Sequence, residues 1–427
     1  MSFDLLLKGG SLPDGTVADV AIAGGRIAAV ERGIEGEARE TLNVSGNLVS
    51  PPFVDPHFHM DATLSYGLPR INKSGTLLEG IALWGELKPL LSHEAVVDRA
   101  LAYCDWAASM GLLAIRSHVD TSDEHAMTGV GALLEVRERV RDYITLQIVA
   151  FPQDGYYRSP TARDCTIRAL DMGVDVVGGI PHFERTMADG HRSVTELCEI
   201  AAERGLMVDM HCDETDDPMS RHVEQLAYET QRLGLHGRVA GSHLTSMHSM
   251  DNYYVSKLLP LMAEAGLAAI PNPLINITLQ GRHDTYPKRR GLTRVPEMLA
   301  YGIRVGFGQD CVLDPWYSLG TADMLDVAFM GLHVAQMTSP TAMARCFDMV
   351  TRESAEILGL DGYGLEKGCK ANLVVLDASD PIEAIRLRAK RLLVVANGKV
   401  IARGQPDVVV LNLPGRPTGI ARRFKVG

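Results

Sequence analysis

The sequence lacks the features that identify several large classes of protein. It contains no long basic run, and 42 basic side chains face 53 acidic ones for a formal net charge of −11. We therefore expect no nucleic-acid partner. No apolar stretch approaches the roughly 20 residues that a membrane-spanning helix needs. The first residues, "MSFDLLLKGG", place charges around only three leucines, which predicts neither a signal peptide nor a membrane anchor.

Cysteine pairs with disulfide or metal-binding spacing are also missing. Seven cysteines are scattered between Cys104 and Cys369 without a CxxC motif. An odd, dispersed set indicates reduced thiols rather than a disulfide framework. The expected compartment is therefore the cytoplasm.

Nucleotide-binding motifs are absent as well. The segment "GVGAL" at 129–133 lacks the third glycine of a dinucleotide fingerprint and follows no clear strand, and there is no Walker A loop. A doubly wound open sheet, the fold that usually carries the dinucleotide fingerprint, is therefore only the second choice for this chain.

The middle of the chain alternates short apolar strands with longer helical patterns such as "SHEAVVDRALAYCDWAASMG". Near-continuous apolar strands separated by helices indicate a parallel sheet that is covered on both faces. About eight such units fit an α/β fold of the (β/α)8 TIM-like barrel type. The eight candidate strands are "LVSPPFVDPHFH", "LLAIRSHVD", "LQIVAFPQ", "VDVVGGIPHF", "LMVDMHCDE", "RVAGSHLT", "LAAIPNPLIN" and "RVGFGQD".

The two chain ends have a different pattern from the middle. Short apolar or alternating runs separated by Gly and Asn occur in the first fifty residues and again in the last sixty, including "LLVVANGKVIARG" and "DVVVLNL". The Asn397-Gly398 pair is typical of a tight hairpin. We predict a small β-sandwich domain built from residues 1–50 plus 365–427, and a catalytic barrel formed by residues 51–364.

Polar side chains stand at the ends of the predicted barrel strands, where barrel enzymes carry their active sites. His57 and His59 are two residues apart, so they can share one face of a strand. On its own an HxH pair is weak evidence for a metal. His211 and His243 at other strand ends, with Asp310 ending the eighth strand, strengthen it. Imidazole and carboxylate ligands suit Zn²⁺ or Fe²⁺.

Longer motifs surround these polar residues, namely "PPFVDPHFHMDAT", "KSGTLLEGI", "RSHVDTSD", "LQIVAFPQDG", "DVVGGIPHFE", "GSHLTSMHS" and "FGQDCVLDPWYSLGTADML". With these motifs the chain resembles the amidohydrolase superfamily, and its cytosine deaminase branch almost from end to end. The motifs "LQGRHDTYPKRRG" and "HCDE" are specific to the branch. The resemblance implies a barrel with a split β-sandwich, in agreement with the strand pattern.

The resemblance also implies a role for each matching residue. Glu214 would be the proton shuttle, His243 would hold the attacking water, and Gln153 would hydrogen-bond the substrate ring. Strand four, "VDVVGGIPHFE", offers no lysine to bridge two metals, so one divalent ion, Zn²⁺ or Fe²⁺, is expected. The implied metal ligands are His57, His59, His211 and Asp310.

The expected reaction is hydrolysis at the amino-bearing carbon of a nitrogen heterocycle. A divalent metal lowers the pKa of bound water from about 15.7 towards about 7 and so supplies hydroxide. Asp310 would take a proton from this water, Glu214 would protonate the ring nitrogen, and His243 would stabilise the tetrahedral centre. The amino group would then leave as ammonia.

One residue departs from the branch. Cytosine deaminases carry His-Asp-Asp where this chain has Gln309-Asp310-Cys311. Cys311 would face the substrate ring, and a thiol accepts a hydrogen bond from a ring N–H only weakly. We therefore expect Cys311 to tune substrate choice. Whether Trp316 lines the pocket or only packs stays open.

The substrate is expected to be cytosine or a close analogue. The alternatives are 5-substituted cytosines, isocytosine, isoguanine, creatinine and amino-triazines, or hydrolysis of a cyclic amide or of an N-alkylamino triazine. A non-catalytic, metal-stabilised scaffold is the remaining option. The partner is thus a small heterocycle, and assembly into a homo-oligomer stays open.

Overall fold

The structure of the protein is a computed structural model that describes residues 2–420. The last seven residues of the predicted 365–427 segment therefore lie outside the described part. In chain order the strands are β1 (Ser2–Ser11), β2 (Val17–Ala23), β3 (Arg26–Glu31), β4 (Glu37–Asn43), β5 (Leu48–Ser50), β6 (Phe53–Phe58), β7 (Leu112–Asp120), β8 (Thr145–Phe151), β9 (Val176–Gly179), β10 (Met207–Cys212), β11 (Val239–His243), β12 (Ala268–Ile270), β13 (Leu373–Leu376), β14 (Arg391–Ala396) and β15 (Lys399–Arg403).

Helices follow most of the central strands. They are α1 (Leu77–Leu87), α2 (His93–Ser109), α3 (Met127–Val140), α4 (Ala162–Asp171), α5 (Met187–Arg204), α6 (His222–Arg232), α7 (Asn252–Ala265), α8 (Pro273–Leu279), α9 (Val295–Ala300), α10 (Met324–Val334), α11 (Pro340–Asp348), α12 (Arg352–Leu358) and α13 (Pro381–Leu387). Among residues 2–420, none of these helices is long and apolar enough to cross a bilayer.

Seven parallel strands, β6 to β12 in sequential order, form a nearly closed barrel. All nine residues of β7 are buried. This is expected for a barrel strand, because the packed barrel interior covers one face and helices cover the other. Helices α5 and α7 end at Gly205 and Gly266. Both glycines have positive φ angles, a left-handed conformation that closes a helix and that residues with a side chain disfavour. The TIM-like barrel predicted from the strand pattern is confirmed.

The predicted eighth strand, residues 304–310, differs from its neighbours. It closes the barrel through two isolated bridges, Val305 with Ala269 and Asp310 with Phe58. A Cβ atom at Gly308 would fall 2.2 Å from an Asn272 side-chain oxygen. The backbone at residue 308 therefore lies too close to Asn272 for any side chain, and glycine makes the approach possible.

The second sheet combines both chain ends in the order β15-β14-β13-β5-β1-β2-β3, with β4 beside β1. Strand β13 pairs antiparallel with β5, so the end of the chain continues the sheet begun at its start. Asn397 and Gly398 both have positive φ, which confirms the predicted hairpin between β14 and β15.

The predicted strand "DVVVLNL" is wrong. Residues 404–420 form no strand within the described part of the chain, and the Val408 side chain is 82% exposed. The backbone N–H of Leu411 instead donates to the carbonyl of Thr418. β-Branched composition alone does not create a strand when no neighbouring strand pairs with it.

Candidate active site

The carboxyl ends of the barrel strands bring four imidazoles and one carboxylate together. His57 lies near the end of β6, His211 lies near the end of β10 and His243 is the last residue of β11. One ligand atom each from His57, His211, His243 and Asp310 lies within 4.8 Å of the others. The strand ends thus converge, because all parallel barrel strands finish at the same rim. This group contains His243 in place of His59, the fourth ligand that the resemblance implied.

Distances within this cluster are short. His59 Nε2 lies 2.9 Å from His211 Nε2, and His59 Nε2 and His57 Nε2 each lie 3.4 Å from Asp310 Oδ1. All four of these side chains are buried. Imidazole nitrogens that face one another and a shared carboxylate oxygen have the arrangement of ligands around a cation.

The residues fit a metal ion by their chemistry as well as by their positions. Burial lowers the pKa of His57, His59 and His211 well below the ordinary value, so the rings are neutral and carry a free lone pair. His57 Nε2 has no hydrogen-bond partner although it is buried, and such orphaned atoms are rare. The cluster is compatible with one divalent ion.

A chain of hydrogen bonds orients the first histidine. His57 Nδ1 lies 2.8 Å from Ser242 Oγ, which donates to Asp209 Oδ1 at 2.7 Å. Arg116 Nη1 donates to the other oxygen of Asp209 at 3.0 Å. A second hydrogen bond of this kind fixes the ring and its tautomer in metal sites. No sequence pattern indicates this chain of hydrogen bonds, since it joins residues from four strands.

His118, near the end of β7, lies against the cluster. Its ring centroid is 4.2 Å from that of His57, and its Nε2 is 3.7 Å from Asp209 Oδ1. In a second group, His118, His57, His59 and His211 also place one ligand atom each within 4.8 Å of the others.

A small cavity opens next to the cluster. Gln153 and Cys311, the two residues expected to face the substrate, line it together with Glu214 and His243. Trp316, whose place the sequence left open, lines it as well. The residues that sequence reasoning missed are apolar, namely Leu77, Ile275 and Leu279. The only available signal for them was their place in the family motifs "KSGTLLEGI" and "LINITLQGR".

Glu214 and His243 face each other across this cavity. His243 Nδ1 is 3.4 Å from Glu214 Oε1 and accepts a hydrogen bond from Asn276 Nδ2 at 2.8 Å. The proton of the neutral ring is then on Nε2, which faces Asp310 Oδ2 at 3.8 Å. Burial, with repulsion from Asp310, raises the pKa of Glu214 well above its ordinary value, so this carboxyl group can hold a proton at neutral pH.

Backbone strain is concentrated at the same rim. Asp213, His243 and Asp310 have φ angles of 54°, 68° and 71°, which residues other than glycine rarely adopt. Strained residues of this kind cluster at functional sites. The Asp213 carboxylate accepts hydrogen bonds from the backbone N–H groups of His222 and Val223 at the start of α6, and so caps this helix.

Three comparisons with known proteins extend these observations. Residues 40–406 match the amidohydrolase family. A crystal structure of 5-methylcytosine deaminase from Klebsiella pneumoniae with phosphonocytosine is 41% identical, with a TM-score of 0.91 over 94% of this chain and 99% of that chain. The N-isopropylammelide isopropyl amidohydrolase of Pseudomonas sp. strain ADP is 30% identical over 94% of this chain and 98% of its own length.

A pterin deaminase from Rhizobium rhizogenes is 28% identical over 91% of this chain and 89% of its own. These similarities extend over both the barrel and the sheet from the chain ends. With a family match over most of the sequence and a histidine–aspartate cluster at the barrel rim, the chain belongs to the amidohydrolase family.

Proposed function

We propose that the protein is a metal-dependent hydrolytic deaminase of cytosine or a close analogue, and that 5-methylcytosine is the preferred substrate among these. The observation that carries the proposal is the cavity itself, in which Glu214, His243 and Asp310 surround one small space beside Cys311. The 41% identity to a 5-methylcytosine deaminase over almost the whole chain supports it.

The proposed metal ligands are the four residues implied by the resemblance, His57, His59, His211 and Asp310, all buried at the barrel rim. When bound, a divalent ion such as Zn²⁺ or Fe²⁺ supplies the Lewis acidity that makes water a nucleophile near neutral pH. The protein contributes neutral imidazoles and the hydrogen bonds that orient them.

The proton transfers are assigned to three side chains. Asp310 accepts a proton from the attacking water. Glu214, which holds a proton in the buried cavity, donates it to the ring nitrogen next to the amino-bearing carbon, so that this carbon becomes electrophilic. His243 assists by donating a hydrogen bond from Nε2 to the oxygen that adds to the carbon. Asp310 then passes its proton to the amino group, which leaves as ammonia. The hydroxyl proton of the tetrahedral centre passes to Glu214, so that a ring carbonyl remains and Glu214 is protonated again.

The remaining cavity residues are assigned to binding. Gln153 lies two residues after β8 and lines the cavity. An amide can both donate a hydrogen bond to a pyrimidine ring and accept one from it. The Trp316 ring lies 6.1 Å from that of His59. It offers an aromatic face against which a planar substrate can stack.

Cys311 is proposed to select among pyrimidines. It packs in an apolar cluster with Trp316 and Ile275, and burial raises the pKa of its thiol well above the ordinary value. The side chain is therefore neutral. A neutral thiol tolerates an added methyl group on the ring, and burying one such group is worth about 0.8 kcal/mol.

The first prediction concerns this residue. In Cys311→Asp, the ratio of kcat/KM for 5-methylcytosine to that for cytosine is expected to fall at least about tenfold, because a buried charge requires polar partners that a methyl group lacks. Steady-state assays on both rings measure the ratio. Cys311→Ser, which changes polarity without charge, is the matched control. An unchanged ratio in the aspartate variant would show that Cys311 does not select the substrate.

The second candidate function is hydrolysis of an N-alkylamino triazine, which the 30% identity to an isopropylammelide amidohydrolase favours. The two functions release different amines. We expect the metal-loaded protein to release ammonia from 5-methylcytosine and cytosine, and no isopropylamine from N-isopropylammelide. Release of isopropylamine without release of ammonia would contradict the pyrimidine deaminase function and support triazine hydrolysis instead.

We also propose the finer assignments that the sequence suggested. The catalytic domain would comprise residues 51–364, and residues 1–50 with 365–427 would form the β-sandwich. All seven cysteines are free in the described structure, which supports a reducing, cytoplasmic location. Assembly into a homo-oligomer stays open.

A further inference from the structure

A buried lysine lies at the end of helix α1, outside the proposed metal site. Lys88 directly follows the helix, and its side chain is only 3% exposed. Its Nζ lies 3.0 Å from Asp120 Oδ2, 3.1 Å from Asp123 Oδ2 and 2.6 Å from Asp154 Oδ2. We call these four residues the Lys88 cluster. Lysine is almost never this buried unless it is paired.

The Lys88 cluster joins three separate parts of the barrel rim. Asp120 ends β7, Asp123 lies in the loop that follows, and Asp154 lies after β8. Burial lowers the pKa of Lys88, but attraction to Asp120 and Asp154 outweighs it and raises the pKa overall. The ammonium therefore stays charged and holds the carboxylates together, since each would otherwise repel the others.

One connection leads from the cluster to Trp316. Asp120 Oδ2 also accepts a hydrogen bond from Trp84 Nε1 at 2.8 Å. The Trp84 ring lies 5.8 Å from the Trp316 ring, which lines the cavity. Helix α1 approaches this wall so closely that a Cβ atom on Gly80 would fall 2.4 Å from Trp316. A shift of α1 would therefore displace Trp316.

A second connection leads from the cluster to Gln153. Asp154 directly follows Gln153, the proposed ring-binding residue, and its backbone N–H donates to Ser122 Oγ at 2.7 Å. Leu77, the first residue of α1, lines the cavity as well. The cluster is thus joined to Trp316, Gln153 and Leu77. The side chains in the Lys88 cluster contribute no atom to the proposed metal ligands.

We propose that Lys88 is a positioning residue that holds helix α1 and the loop after β8 in place around the cavity, and so sets the affinity for the heterocycle without taking part in the chemistry. The kinetic part of this inference rests on the proposed function. The structural part, that Lys88 fixes Trp84 against Trp316, does not.

The kinetic test uses the metal-loaded full-length protein with 5-methylcytosine. In Lys88→Met we expect KM to rise at least about tenfold while kcat stays within about threefold, since binding contacts made equally in the ground and transition states are lost. Metal content should stay at the wild-type value. Lys257→Met, the same substitution at an exposed position on α7, is the matched control and should leave KM unchanged.

A milder variant keeps the test decisive if Lys88→Met does not fold. Asp154→Asn preserves the shape of a half-exposed side chain and removes one of the three charges. It should raise KM in the same direction by a smaller factor, again with full metal content. A fall in kcat at unchanged KM, or loss of metal from a folded variant, would overturn the positioning role.

A spectroscopic test needs no substrate. The chain has three tryptophans, so Trp106→Phe leaves only Trp84 and Trp316 as indole reporters. In that background, Lys88→Met or Asp154→Asn should weaken the near-ultraviolet circular dichroism of the pair. An unchanged spectrum together with an unchanged KM would refute the inference. If the wild-type protein released no ammonia from any pyrimidine, the proposed function would fail, and the spectrum alone would decide the role of Lys88.

Discussion

Replacing Glu214 with glutamine is expected to lower kcat for 5-methylcytosine by about 10²–10⁴-fold, the usual contribution of a positioned proton donor. Glutamine keeps the size of the side chain but has no carboxyl proton for the ring nitrogen. Glu214 lies 3.4 Å from His243 and outside the four proposed metal ligands, so metal content should stay unchanged. Steady-state ammonia release and elemental analysis of the same preparation measure both quantities.

The control for this variant is Glu203→Gln, an equal loss of charge at an exposed position on α5. It should have the wild-type kcat. Turnover retained in Glu214→Gln would remove the proton-shuttle role. Loss of the metal together with turnover would instead place Glu214 among the residues that hold the ion.

His211→Ala is expected to lose both the metal and the reaction. Its Nε2 lies 2.9 Å from His59 Nε2 in the centre of the cluster, and alanine offers no ligand atom. Removing a residue that merely orients a ligand already costs about 10–100-fold in metal affinity, so loss of the ligand itself should cost more than about 100-fold. Competition with a chromophoric chelator measures the affinity.

The exposed His333 on α10 provides the comparison. His333→Ala removes an exposed imidazole that is not among the proposed metal ligands. This variant should keep both the metal affinity and the turnover of the wild type. A folded His211→Ala protein that bound one metal ion with wild-type affinity would exclude His211 from the ligand set.

The barrel and the position of its active site could be predicted because they depend on local patterns. Apolar strands followed by helices indicate a parallel barrel, and the strands of such a barrel finish at one rim. Residues as distant in sequence as His57 and Asp310 were therefore expected to meet, and the structure places their side-chain atoms 3.4 Å apart.

Features that depend on packing between distant segments could not be predicted in this way. The backbone at Gly308 lies so close to Asn272 that no side chain fits there. The hydrogen bonds from Arg116 through Asp209 to Ser242 cross the barrel interior. Neither leaves a periodic signal in the sequence, because each depends on which neighbour a side chain meets.

Lys88 illustrates the same limit for charge. In the sequence it is an ordinary lysine after an amphipathic segment, "LLEGIALWGELK", and such residues are usually solvated. Only the fold shows that Asp120, Asp123 and Asp154 surround it.

The strand predicted at 407–413 is wrong for a related reason. Its apolar composition indicated a strand, but the described structure provides no neighbouring strand to pair with it.

The measurement that tests the central claim most directly is kcat/KM for 5-methylcytosine and cytosine, determined with protein carrying one divalent metal ion and again after the metal is removed by a chelator. The account predicts stoichiometric ammonia from both rings, a higher kcat/KM for 5-methylcytosine, and loss of turnover without metal that returns when Zn²⁺ or Fe²⁺ is added back. Metal-loaded, folded protein that releases no ammonia from either ring would contradict it.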